Sequence, residues 1–304
     1  MKQIPLGLSG LNVPAVAVGC MRMKGLSPTE AERFVATALD LGMTFFDHAD
    51  IYGGGECEEI YARAVQSAGI PRDSVLLQSK CGIRKGRYDF SEAHILASVE
   101  GILARLRTDY LDVLLLHRPD ALMDEEVAEA FDALHASGKV RHFGVSNQNP
   151  MQMQLLQKYV KQPIVANQLQ FGLGHAALVA QNAHVNMSDE AAVNRDGSVL
   201  DFCRLHDITV QPWSPFQHGF FKGAFIGDKK FKALNAKLEA LAEKYGADPT
   251  AVALAWILRH PAKMQPVVGT MNPGRLASCA KAAEITLSRE DWYALYLAAG
   301  NTLP

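Results

Sequence analysis

The sequence has little that would tie the fold down covalently. Its 304 residues hold five cysteines, Cys20, Cys57, Cys81, Cys203 and Cys279, scattered and with no CxxC pair. That spacing argues against a zinc knuckle or a redox pair, and an odd set of lone thiols fits a reducing compartment. An excess of charge of one sign is also missing. Thirty Lys and Arg against 32 Asp and Glu leave a formal net charge of −2, without the basic stripe that DNA or RNA would require. No window approaches the roughly 18 apolar residues of a membrane span. The opening MKQIPLGLSG lacks the apolar stretch of a signal peptide. No HExxH metal motif occurs. These absences point to a cytoplasmic protein with neither nucleic acid nor membrane as partner.

What is present is an ordinary globular composition, 48% hydrophobic and 20% charged. A chain of this length buries a large core and needs no staples. Residues 4–14 read as a short hairpin-like cap. Eight apolar runs then recur, at 15–20, 44–50, 75–80, 111–117, 142–146, 165–170, 209–214 and 266–270. They are continuous rather than alternating, as in strands covered on both faces. Helical spacing fills the gaps between them: 27–42, 56–68, 91–107, 124–137, 150–159, 200–207, 250–260 and 273–283. Eight such units close most simply into a (β/α)₈ TIM barrel. The expected architecture is one domain over 1–304, with the hairpin cap in front and an extra C-terminal helix at 288–298. Two stretches break the rhythm: 171–198, a long loop with some helix, and the Gly- and Phe-rich 215–230.

In such barrels the reacting groups stand at the C-terminal ends of the strands. Here those ends carry Asp47, His48, Asp50 and Tyr52, then Lys80, His117, Ser146 with Asn147, Asn167 with Gln168, Trp213 with Ser214, and Gly269 with Thr270. One Asp–Lys pair alone is often structural, and one histidine in an apolar strand is more often a satisfied core residue. Four ionisable groups at one mouth, Asp47, Tyr52, Lys80 and His117, are harder to read that way. Buried charges must be paired, and titratable groups gathered in a cleft mark acid–base chemistry. A metal site fits less well, because Lys80 supplies positive charge where a cation would sit.

The motif Asp47-x-Ala49-x-x-Tyr52-Gly53, the VLLQSKCG stretch with Lys80, LDVLLLHRPD with His117, and GKVRHFGVSN with Ser146 and Asn147 together resemble the aldo-keto reductase superfamily. The wording DHADIYGG and HRPD is similar to its bacterial oxidoreductase-like branch. The resemblance covers nearly the whole chain and implies NADPH-dependent reduction of an aldehyde or ketone by a monomeric barrel. It implies Tyr52 as general acid, Lys80 as the cation that lowers its pKa, Asp47 as the partner of Lys80, and His117 as the group that orients the carbonyl. It places Ser146, Asn147 and Gln168 on the nicotinamide carboxamide and Trp213 on the ring. Ser214 and a loop at 215–223 with Gly219 fall on the pyrophosphate, and Gly269, Thr270 and Arg275 on the adenosine end. Arg275 is suited to a 2′-phosphate. Met21, Arg22, Ile83 and Phe216 are the expected substrate wall, and a short C-terminal tail leaves that wall open. Two alternatives stand beside this reading: a nucleotide-binding regulatory subunit with slow or vestigial activity, and a dehydrogenase acting mainly in the oxidative direction.

Overall fold

The structure, a computed structural model, describes residues 1–220 and 222–304. An antiparallel hairpin of β1 (Gln3–Pro5) and β2 (Asn12–Pro14) comes first. Then follow β3 (Ala17–Gly19), α1 (Pro28–Asp40), β4 (Phe45–Asp47), α2 (Glu56–Ser67) and β5 (Leu76–Cys81). A second hairpin, β6 (Ile83–Arg84) with β7 (Arg87–Tyr88), leads to α3 (Glu92–Leu106), β8 (Leu111–Leu116), α4 (Glu126–Ala136), β9 (Val140–Ser146), α5 (Pro150–Tyr159) and β10 (Ile164–Gln170). The chain continues through α6 (Ala177–Ala183), α7 (Val199–Leu205), β11 (Thr209–Trp213), α8 (Lys232–Lys244), α9 (Pro249–Leu258), β12 (Val267–Val268), α10 (Pro273–Lys281) and α11 (Arg289–Ala298). The eight strands β3, β4, β5, β8, β9, β10, β11 and β12 pair in parallel in that order and close into a barrel. No helix among the described residues is long and apolar enough to cross a membrane.

Local sequence explains where the helices start. In α1 the Ser27 side chain accepts from Glu30 N while Glu30 returns a bond to Ser27 N, and Pro28 fills the first turn. Asn149 with Gln152 and Pro150 repeats the arrangement in α5. Asp248 with Pro249 and Asn272 with Pro273 open α9 and α10. Each cap satisfies amides that the first turn leaves unpaired, and proline there forfeits no hydrogen bond.

Two apolar layers hold the barrel. The outer one lies between strands and helices. The inner one fills the lower lumen with Phe45, Val113, Leu115, Val165 and Val267, and the hairpin residues Ile4, Leu6 and Val13 plug it from below. At Gly7, with φ +48°, a Cβ would meet the Val165 carbonyl at 2.4 Å, so only glycine lets the hairpin turn press this closely on β10. Helix α11 is pinned to α9 by stacked indoles. The Trp256 and Trp292 rings lie 4.8 Å apart at 11°, and each indole N–H donates to the other residue's carbonyl at 3.0 Å.

Three expectations change. The run at 44–50 ends as a strand at Asp47, because the residues after it turn inward and Asp50 N donates to the Lys80 carbonyl. The strands are not uniformly apolar: β5 buries Gln78, Ser79 and Lys80. The β6–β7 hairpin was not expected, since its IRKGRY is charged and exposed and turns on Gly86 at φ +77°.

An ion pair between a buried carboxylate and a partly exposed arginine braces the wall behind the mouth. Glu58 on α2 has no exposed surface and accepts from Ser79 Oγ at 2.8 Å and from Arg105 Nε of α3 at 2.7 Å. Burial raises the Glu58 carboxyl above the usual range, against the pull of Arg105 and Ser79. Arg105→Met should therefore cost about 3–5 kcal/mol at pH 8, because it strands a buried charge. A raised acid binds its proton more readily in the folded state, so the penalty should shrink as the pH falls towards 5. Urea denaturation of both proteins at the two pH values checks this, and a pH-independent difference would contradict it.

Candidate active site

The site is assembled from strands that are not neighbours. Asp47 ends β4 and Gln168 lies on β10, four positions away around the ring of eight, yet Gln168 Nε2 donates to Asp47 Oδ1 at 3.0 Å. Only side chains that point into the lumen meet in this way. Lys80 on β5 has no exposed surface and Asp47 is 2% exposed. The lysine's three N–H donors have three partners: Asp47 Oδ2 at 2.8 Å, the His48 carbonyl at 2.7 Å and Tyr52 Oη at 3.1 Å. Burial alone would push this amine down, but the Asp47 carboxylate and the Tyr52 oxygen outweigh it and hold it above the ordinary lysine range.

Tyr52 stands on a short 3₁₀ turn followed by Gly53, Gly54 and Gly55, all with positive φ. A Cβ on Gly55 would meet Arg105 Cδ at 2.7 Å, so the turn rests directly on the ion pair beneath it. The Tyr52 ring is half-buried, but its hydroxyl reaches down to fully buried Lys80. Burial raises the phenol, and the Lys80 cation lowers it. The expected pull of Lys80 is present, yet desolvation wins and the phenol lies above its ordinary value. His117 follows β8 directly, its ring edge-on to Tyr52 with 6.1 Å between centroids. Burial, then the charges of Lys80 and Arg118, push its imidazole well below the usual range. It is neutral at pH 7, and its buried Nδ1 has no protein partner.

The other two polar residues after β4 have separate fates. His48 packs edge-on against Tyr61, 4.7 Å between centroids, and burial lowers it to about 3. Asp50 is raised to about 7, by burial and then by the charge of Glu58.

A cavity of about 1180 Å³ opens above these groups. Fifteen of the seventeen expected site residues line it. Lys80 lies beneath its floor, and Gly219 stands back, its carbonyl accepting from Gln170 Nε2 at 2.7 Å. Phe221, within the expected 215–223 loop, lies outside the described residues. Ser146, Asn147 and Trp213 are linked in advance. Asn147, at φ +57°, donates from Nδ2 to Ser146 Oγ at 2.6 Å and accepts from Trp213 Nε1 at 3.3 Å. Both Nε2 protons of Gln168 have partners, in Asp47 and Gln211, which leaves its Oε1 as an acceptor. The set of donors, acceptors and an indole in one cleft fits an aromatic carboxamide such as nicotinamide. At the far end, Asn272 caps α10 by accepting from Arg275 N at 3.0 Å, and the Arg275 side chain lines the cavity. Arg22, expected on the substrate wall, crosses to the Gly269 carbonyl at 3.0 Å, so it bridges the two halves of the cleft.

Sequence reasoning did not single out Arg118 or Tyr88, which also line the cavity. Arg118 sits with its guanidinium 5.7 Å from the Trp213 ring and 5.8 Å from Phe220. Its position directly after His117 was a usable signal. Tyr88 arrives on the unexpected hairpin, whereas Phe220 belongs to the expected 215–223 loop.

Comparison with known proteins gives the family. The aldo/keto reductase family matches residues 15–296. The chain is 37% identical over 282 residues to the 6-dehydroglucose reductase of Agrobacterium fabrum, covering 89% of this chain and 88% of that protein. It is 34% identical to oxidoreductase YdhF of Escherichia coli, over 98% of each chain. A crystal structure of a thermostable aldo-keto reductase in complex with the inhibitor epalrestat superposes with a TM-score of 0.79 at 27% identity, covering 98% of this chain and 100% of the other. The barrel, the polar mouth and these likenesses together establish that the chain belongs to the aldo/keto reductase family and is an NAD(P)H-dependent oxidoreductase.

Proposed function

We propose that this chain, acting as one domain, reduces aldehydes or ketones to alcohols with NADPH, and that Tyr52 donates the proton. The observation that carries the reading is the Tyr52–Lys80 bond of 3.1 Å. Lys80 donates in that bond, so the phenol's own proton is free for a carbonyl oxygen in the cavity above. Reduced nicotinamide, when bound, supplies the hydride. Charge then grows on the carbonyl oxygen, and preorganised donors must meet it. Tyr52 offers its O–H, and Lys80 stabilises the phenolate that remains. Asp47 holds Lys80 in place. Neutral His117 offers an N–H that orients the carbonyl. In the oxidative direction Tyr52 takes the proton back, so the same groups serve both.

Ser146, Asn147 and the free Oε1 of Gln168 would hold the carboxamide, with Trp213 as the stacking surface. Ser214, Gly219 and the loop around them would cover the pyrophosphate. Gly269, Thr270 and Arg275 would hold the adenosine end, where Arg275 and the N-terminus of α10 favour a phosphate. Met21, Ile83 and Phe216 would face the substrate. The tail is tied elsewhere, its Thr302 carbonyl bound to His184 Nε2 at 2.9 Å, so it does not narrow the mouth.

Three substitutions test these roles. Tyr52→Phe should lower carbonyl reduction by about 10²–10⁴-fold, the usual worth of a positioned acid, while NADPH still quenches tryptophan fluorescence with near-normal affinity. Retained turnover would remove Tyr52 as the donor. Lys80→Met should lower kcat with a smaller change in KM for the carbonyl, which steady-state kinetics can read. Arg275→Ala should weaken NADPH by about tenfold and NADH hardly at all, as loss of one charge-assisted phosphate contact implies. An equal loss for both nucleotides in the same fluorescence titration would take Arg275 off the 2′-phosphate.

A further inference from the structure

The barrel lumen holds a chain of amides to which no role has been assigned above. Gln78 donates from Nε2 to Asp47 Oδ1 at 2.6 Å and to Gln211 Oε1 at 2.9 Å. Gln211 returns a bond from its Nε2 to Gln78 Oε1 at 3.1 Å and donates to Gln265 Oε1 at 2.9 Å. Gln265 closes the chain on the Pro14 carbonyl at 2.8 Å, at the end of the plugging hairpin. All three glutamines are without exposed surface. The strands β5 and β11 lie four positions apart in the ring of eight, so the Gln78–Gln211 pair spans the lumen.

An isolated amide can be turned end for end, but this chain cannot. Its two ends, the Pro14 carbonyl and the ionised Asp47 carboxylate, only accept. Turning Gln265 would set its oxygen against a carbonyl, and turning Gln78 would set its oxygen against the carboxylate. Either change also breaks the bond to Gln211. Buried amides left without partners are costly, whereas a fully satisfied network is rigid and specifies one arrangement. One orientation gives each of the three amide nitrogens a partner and each of the three amide oxygens no clash.

We infer that Gln78, held from across the lumen by Gln211, is a positioning residue for the reaction. It fixes the Asp47 carboxylate in the rotation that gives Oδ2 to Lys80, and through Lys80 it sets the contact with Tyr52. The terminal torsion of an aspartate is otherwise broad. Gln168 also donates to Oδ1, but that side chain lines the cavity and its Oε1 would also serve the carboxamide. Gln78 lies below the cavity and has no such second task. The consequence for rate rests on the reductase reading; the positioning itself does not.

The test compares the intact wild-type chain with Gln78→Met and Gln265→Met. Methionine keeps the length and volume of glutamine but donates nothing. Gln78→Met should slow single-turnover hydride transfer from NADPH by about 100-fold, the loss expected for a displacement of about 1 Å. The KM for the carbonyl should change little, and the primary isotope effect with NADPH deuterated at the transferring position should increase. Its crystal structure should show the Lys80 Nζ–Tyr52 Oη distance lengthened beyond 3.1 Å. Gln265→Met removes a buried amide three links from Asp47, so it should lower the melting temperature comparably but keep the transfer rate near wild type. Equal rate losses in both variants would overturn the inference, as would a Gln78→Met protein with an unchanged rate and an unmoved Lys80. A wild-type protein that does not oxidise NADPH would sink the reductase reading alone, and the crystal structure of Gln78→Met would still decide the positioning. Should Gln78→Met not fold, Gln211→Met replaces it with the same readouts, because it leaves the Asp47 donor in place but without its brace.

Discussion

The ammonium of Lys80 is the charge around which the upper barrel is organised. It lies beyond the reach of water, and an ion so placed survives only if every donor is matched. Its three partners come from the end of β4 and the turn after it: the Asp47 carboxylate, the His48 carbonyl and the Tyr52 oxygen. Asp47 must then be satisfied in its turn, and that requires side chains from β5 and β10. The polar centre therefore depends on closure of the ring. An open sheet would leave Asp47 and Gln168 on distant strands, with no lumen in which to meet.

This arrangement separates support from contact. Below the cavity floor, Lys80, Asp47 and the three lumen glutamines find their partners among the protein's own groups. At the floor, Tyr52 keeps its proton unshared and His117 keeps a ring nitrogen without a protein partner. The deeper groups hold position, and the shallower ones retain capacity for a ligand. The hairpin contributes from the far end. It seals the lumen with apolar side chains and presents the Pro14 carbonyl on which the amide chain terminates.

Much of this was legible in the sequence. Mostly apolar runs mark all eight barrel strands, although β5, β10 and β11 are interrupted by buried polar residues. Serine, aspartate or asparagine followed by proline stands at the helix starts at Ser27, Asn149, Asp248 and Asn272. Polar residues at strand ends marked the mouth. The amide chain was not legible, because Gln78 and Gln211 stand 133 residues apart and meet only by the geometry of closure. Within an apolar run a glutamine looks like an interruption, and no local pattern distinguishes one that faces the lumen. The β6–β7 hairpin was hidden for another reason: it buries almost nothing, so it leaves no hydrophobic signature. The net direction of the Tyr52 shift also needed coordinates, since it depends on how deep the hydroxyl sits and not only on the cation beside it.

The saturation of Lys80 has a chemical corollary. Amine-directed acylating reagents are electrophiles that react with the lone pair of an uncharged, accessible nitrogen. Lys80 has neither the access nor the lone pair, for its cation is fully enclosed and held above the ordinary range. The exposed lysines of α8 and the surface loops are open to acylation, but Lys80 is shielded for as long as the barrel stays closed. Its labelling in a mixed population would thus count the molecules whose barrel has opened, without any need to follow turnover.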